Sequence, residues 1–144
     1  MFSKACEYAI RSIIHIAAQS QAGKRVSLKE ISRQVDSPEA FTAKILQTLS
    51  KNNLIDSSKG PQGGFEVDLK KIKKIKLSEV VSAIDGDSIY KGCGLGLKEC
   101  SEKHPCPVHD KFKIIRNELK TMLESTTIYE LSTNQKNGLT FLKR

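Results

Sequence analysis

At 144 residues the chain has room for one domain with a real core, or for a small domain plus an appendage. Hydrophobic residues make up 38% and charged residues 28%, an ordinary balance for a soluble globular protein, and no run approaches the roughly 20 apolar residues of a membrane-spanning helix. The net charge of +8 raises the expectation of a polyanionic partner such as nucleic acid, although solubility alone accounts for it as well. The start Met1-Phe2-Ser3-Lys4 lacks the apolar stretch of a signal peptide, which predicts a cytoplasmic protein without a membrane partner. In that compartment the four cysteines are expected to be reduced rather than paired in disulfides.

From Ser3 to Gln19, Cys6, Ala9, Ile10, Ile13, Ile16 and Ala17 recur at helical spacing. Gly23 and Lys24 end that helix, and Ser27-Leu28-Lys29-Glu30 reads as a capping box opening a short second one, with Leu28, Ile31 and Val35 inward. Ser37 and Pro38 are placed to cap and start a third helix that runs to about Lys51. Its inward stripe is Thr42, Ile45, Leu46 and Leu49; Phe41, Lys44, Thr48 and Lys51 lie on another, mostly basic stripe. A phenylalanine at the start of such a face suits a groove or a thymine methyl better than water.

Leu54 and Ile55 precede Lys59-Gly60-Pro61-Gln62-Gly63-Gly64, and the stretch Phe65–Leu69 alternates apolar and polar as a strand does. Two short strands around a Gly/Pro turn, directly after a short-helix pair, make a wing, and Lys59 at its turn can meet a phosphate. An ordinary hairpin without a partner is the plainer alternative. The lysine-rich stretch 70–76 reads as a solvated connector, and Ser78–Ile84 as a helix closed by Gly86. From Pro107 the chain is helical again, with Val108, Phe112, Ile115, Leu119 and Met122 forming a heptad seam best buried against a second copy. The expected organisation is a DNA-binding unit over 1–86, a cysteine loop over 87–106, a dimerisation helix over 107–126 and a polar, unassigned tail over 127–144. The predicted fold class is therefore mainly α: a winged helix-turn-helix with a two-stranded β wing and a long C-terminal dimerisation helix.

The loop carries Cys93, Cys100 and Cys106, with His109 three residues after the last. Thiolates clustered in a cytosolic chain point to metal or redox chemistry, and sulfur ligands prefer zinc or iron–sulfur clusters. The paired C-x2-C knuckles of structural zinc modules are missing, which favours a cluster over zinc. Cys6, on the apolar face of the first helix, reads as a small hydrophobe, leaving Glu7 and His109 as candidates for a fourth ligand. A thiol–disulfide switch remains an alternative, as does an enzyme with Cys106 as nucleophile and His109 as base, for which no orienting acid or oxyanion loop is evident.

Taken in order, Glu7-Tyr8-Ala9-Ile10-Arg11, the helix-turn-helix, the wing 59–65, the stretch Leu77–Gly86, the three cysteines and Cys106-Pro107-Val108-His109 resemble the Rrf-two (Rrf2) family of regulators over about residues 1–126. The resemblance implies a homodimer that reads a palindromic operator in double-stranded DNA, with an iron–sulfur cluster, [2Fe–2S] or [4Fe–4S], in the loop before the dimer helix. Carried over by position, Cys93, Cys100 and Cys106 are the sulfur ligands, and the fourth is either Glu7 of the partner subunit or His109. Signals consistent with such a centre are nitric oxide, redox state and iron–sulfur supply. The candidate DNA contacts are Ser27 and Lys29 at the second helix, Ser37, Phe41, Lys44, Thr48 and Lys51 along the third, and Lys59 and Gln62 on the wing. The first cysteine gap is one residue longer than is usual in the family, and Ala43 and Lys44 stand where some members carry Glu and Gln.

Overall fold

The first helix, α1 (Lys4–Gln21), forms the centre of the molecule in this computed structural model, which describes residues 1–144. Ser3 caps it by accepting the Cys6 N–H at 3.0 Å. Its apolar positions fall on more than one face, and Cys6, Ala9, Ile13, Ile16 and Ala17 are fully buried. Such a helix must be surrounded. Around it pack α2 (Leu28–Val35), α3 (Glu39–Lys51), α4 (Leu77–Asp85) and α7 (Ile128–Lys136). Ile31, Leu46, Leu49, Val80, Leu123 and Ile128 close the core around it.

Ser27 caps α2 by accepting the Glu30 N–H at 3.2 Å. The return half of the expected capping box is not formed, because the Glu30 carboxylate turns to the buried His15 ring, 3.7 Å away. Asp36 then reverses the chain in the left-handed region (φ 53°), a conformation that Asp tolerates better than most residues. Ser37 does not cap α3 as expected. Pro38 is the N-cap, and the Ser37 hydroxyl contacts Thr42 Oγ1 at 2.5 Å, which itself donates to Pro38 O at 2.8 Å. With the Thr42 proton so committed, Ser37 is the donor in that pair. The inward stripe of α3 is as the periodicity predicts: Thr42, Ile45, Leu46 and Leu49 are buried.

Strands β1 (Asp56–Ser58) and β2 (Gly64–Glu66) pair antiparallel, with Ser57 opposite Phe65. Val26 adds a bridge on the other side of Phe65, through N–H···O contacts of 3.1 and 2.8 Å. Gly64 makes this approach possible: a Cβ there would lie 2.7 Å from Val26 O, and its φ of 137° is open to glycine. The strand predicted to run to Leu69 stops at Glu66, because the Val67 N–H turns to Ser20 Oγ at 2.9 Å.

The connector 70–76 is more than a solvated link. Ile72 and Ile75 are buried, and their carbonyls accept from Tyr129 and Ile128 N–H while Leu77 N–H reaches Thr126 O. The long helix α6 (His109–Ser125) buries only His109 and Leu123. The segment 127–144, left unassigned in the sequence, carries α7, capped by Thr127 on the Glu130 N–H. Gln21 Nε2 ties α7 to α1 through Ser132 Oγ at 2.8 Å and Thr133 Oγ1 at 3.3 Å. No helix is long and apolar enough to cross a membrane.

Candidate cysteine centre and nucleic-acid interface

The loop between α4 and α6 is built around a short helix, α5 (Ser88–Lys91). Asp87 fixes its start, accepting from Ser82 Oγ (2.8 Å), Tyr90 OH (2.9 Å) and Lys91 Nζ (2.8 Å). Lys91, with Ser82 and Tyr90 assisting, holds the Asp87 carboxyl well below the usual carboxylate range. The other fastenings come from α6. Arg116 donates to Gly92 O, Lys113 pairs with Glu102, and the Lys120 ammonium stands 6.0 Å from the Tyr90 ring centre. Gly94 lies flat on the Phe112 ring, so close that a Cβ would sit 2.7 Å from the ring.

Of the four candidate ligands of this region the structure brings Cys100 and His109 into contact, and no three of the chain's His, Cys, Asp or Glu side chains converge as ligands of one metal ion. The Cys93 sulfur accepts the Leu95 N–H at 3.4 Å. The amides of Leu95 and Leu97 are the main reason its thiol is held below the ordinary value. Cys100 Sγ lies 3.4 Å from Nδ1 of His109, which is 6% exposed. Thus His109 meets Cys100, not Cys106, the neighbour that a Cys-x-x-His nucleophile–base pair would need. Glu7 points elsewhere in this chain and pairs with Lys4 at 3.3 Å. Cys6 is fully buried, and desolvation, with Asp85 adding to it, pushes its thiol up to about 12.

A single zinc ion would need its thiolates about 3.8 Å apart around one centre, as the ~2.3 Å Zn–S distance and tetrahedral angles require. Three thiols and an imidazole carried by one loop are donors of the type that hold iron–sulfur clusters, and in the chemistry of the donor set the residues present fit one. Amides aimed at a sulfur are also suited to spreading the negative charge of a thiolate.

The second candidate surface is formed by α2, α3 and the wing. A groove of about 420 Å³ separates α3 from the hairpin, with Lys44 and Gln47 on one wall and Ser57, Lys59 and Phe65 on the other. A cleft of about 690 Å³ at the helix-turn-helix includes Ser27, Lys29, Arg33 and Ser37. Lys29, Lys44, Lys51, Lys59 and Gln62 are exposed. Several polar candidates have their hydroxyls committed: Ser27 to the α2 cap, Ser37 to Thr42, and Thr48 to Lys44 O at 3.2 Å. Phe41 does not simply face outward as expected; it meets Tyr8 edge-on at 5.7 Å and is 37% exposed. Gln47 and Ser57 are groove residues the sequence reading missed. Gln47, one turn beyond Lys44, was legible from helical spacing, whereas Ser57 depends on the wing register. Arg25 was also missed; it braces the wing through Glu66 at 3.1 Å and the Gln62 carbonyl at 3.4 Å.

Comparison with known proteins gives the family. The Rrf2 family, described as an iron-dependent transcriptional regulator, matches residues 2–134. An HTH-type transcriptional regulator of Aquifex aeolicus is 30% identical over 133 residues, covering 91% of this chain and 90% of that one. The HTH-type transcriptional regulator IscR of Escherichia coli is 30% identical over 128 residues, covering 89% and 77%. Among solved structures, CymR (YrzC), the global cysteine regulator of B. subtilis, superposes with a TM-score of 0.75 at 20% identity, covering 92% and 96% of the two chains. These relatives are regulators of transcription, not enzymes. The chain belongs to the Rrf2 family of DNA-binding transcriptional regulators.

Proposed function

We propose that the chain is a homodimeric, sequence-specific regulator whose grip on a palindromic operator responds to an iron–sulfur cluster held by Cys93, Cys100, Cys106 and His109. The observation that carries this reading is the contact of Cys100 with the buried His109 at the start of α6, in the same loop as Cys93 and Cys106. When bound, such a cluster supplies a redox-active centre that oxygen, nitric oxide or iron–sulfur supply can alter. The chain's own residues do the rest. Arg116 and Phe112 hold the loop on α6, while the apolar seam of the same helix is left open to a second copy: Phe112 is 39% exposed, Ile115 56% and Met122 42%. A change at the loop therefore bears directly on the contact that spaces two DNA-reading units. A coupling of about 1–3 kcal/mol shifts DNA affinity some 5- to 150-fold.

At the DNA, α3 enters the major groove with Lys44 and Gln47 toward base edges, while Lys29, Lys51 and Lys59 meet phosphates. The unit 1–86 reads DNA, 87–106 senses, and 107–126 dimerises, in a cytoplasmic setting. The test is selection of bound duplexes from a random pool, with and without iron and sulfide supplied anaerobically. Lys59→Ala weakens binding to selected and random duplexes alike, and Lys44→Ala changes which duplexes are selected. Equal effects of the two variants on every duplex would remove α3 from base reading.

A second reading is favoured by the lowered Cys93 thiol: a thiol–disulfide switch in which an oxidant takes two electrons and two protons from Cys93 and Cys106. Iron analysis separates the two, because the disulfide form carries none.

A further inference from the structure

The family match ends at residue 134, so the last residues of the chain lie outside every role argued so far. Beyond α7, Gly138 (φ 73°) turns the chain, and Leu139 N–H closes on Asn134 O at 2.9 Å. The segment then passes from the Gln21 end of α1 to the turn between α2 and α3. There Lys143 Nζ donates to Arg33 O at 3.2 Å, and Phe141 to Arg144 line a cavity of about 270 Å³ with Arg11 and Asp36. Asp36 also lines the cleft of the helix-turn-helix. The tail thus ends on the rim of that cleft, near the N-terminus of α3, while the wing sits beside Ala43, Gln47 and Ser50.

Packing does not explain this course. Of its large apolar side chains only Leu142 is half-buried, whereas Leu139 and Phe141 are 70% and 77% exposed. Charge gives a better account. From Leu131 onward the chain carries Lys136, Lys143 and Arg144 and no acidic residue. Asp36 and Glu39, at the start of α3, would repel a phosphate approaching the groove. Cations brought to the Asp36 side of the cleft offset that repulsion.

We propose that residues 139–144 form a DNA-backbone arm, in which Lys143 and Arg144 meet phosphates flanking the groove entered by α3. The arm rests on the DNA-binding reading above and extends it to a segment with no other role. Phosphate contacts carry no sequence information, so the arm adds affinity and salt dependence without altering preference.

The test uses the full chain, titrated onto a selected duplex and a random duplex across a series of salt concentrations. The double variant K143A/R144A is expected to make the slope of log K against log salt shallower by about 1.8 per arm, ~0.9 for each lost phosphate contact, on both duplexes. The charge-conserving K143R/R144K keeps the wild-type slope. An unchanged slope in K143A/R144A overturns the arm; if its melting midpoint drops at the same time, the Lys143–Arg33 contact is only a structural tether. Lys59→Ala separates the two levels of failure. A flattened slope in that variant beside an unchanged K143A/R144A rejects the arm alone, and a wild-type chain whose binding ignores salt rejects the DNA reading with it.

Discussion

Cys93 and Cys6 are chemically opposite thiols in one chain. Amide N–H groups of Leu95 and Leu97 favour the Cys93 thiolate, whereas burial and Asp85 push the Cys6 thiol up to about 12. In the reduced, metal-free chain at neutral pH, iodoacetamide is expected to label Cys93 while sparing Cys6 until the protein is denatured, as read by peptide mass spectrometry. Labelling of Cys6 in the folded chain would contradict its placement in the core. His15 has the other consequential side chain. Burial lowers its basicity, and Glu30 offsets this only in part. The folded chain then holds fewer protons at this site than the unfolded chain, so stability rises with pH. The contribution is present above the unfolded value of about 6.5 and is lost as the pH falls from there toward the folded value. Melting curves through that window are expected to show a falling midpoint, with a smaller fall in His15→Gln. At this scale the sequence was only partly informative: Ser27 caps where its spacing says it should, but nothing local tells that Glu30 prefers His15 or Ser37 prefers Thr42.

Helices whose apolar stripes are buried within the chain were legible because periodicity reports burial directly, as in α1 and α3. The heptad spacing of α6 is only partly used within the chain. Leu119 packs against the core, Phe112, Ile115 and Met122 stay 39%, 56% and 42% exposed, and Leu123, off the seam, is fully buried. Ile115→Glu is expected to convert a dimer to a monomer in sedimentation without changing the far-ultraviolet helix signal. A variant that stays dimeric would move the interface off this seam. α7 was not legible. It is anchored by Ile128 and by hydrogen bonds of Ser132 and Thr133 to Gln21, a polar attachment with no hydrophobic period to find. The shortened β2 has a similar cause: a single serine on α1 captures the Val67 N–H and takes the chain out of the sheet.

At the scale of the molecule, the proposed DNA-reading surface lies on α2, α3 and the wing, while the cysteine loop is fastened on α6, which packs against α4 and α5. Three cysteines and a histidine within seventeen residues were visible in the sequence, and their chemistry followed from residue type. The meeting of Cys100 with His109 was not visible, since it depends on Arg116, Phe112 and Gly94 setting the loop against the helix. Nor did the sequence alone choose between His109 and Glu7 of the partner subunit; the structure adds that His109 meets Cys100 within one chain. The most direct measurement is anaerobic reconstitution of the full chain with ferrous iron and sulfide, followed by visible absorption and iron and sulfide analysis per chain. The account predicts a coloured protein with both elements bound, and loss of both in Cys93→Ser, Cys100→Ser and Cys106→Ser. A colourless, iron-free chain after reconstitution would contradict it.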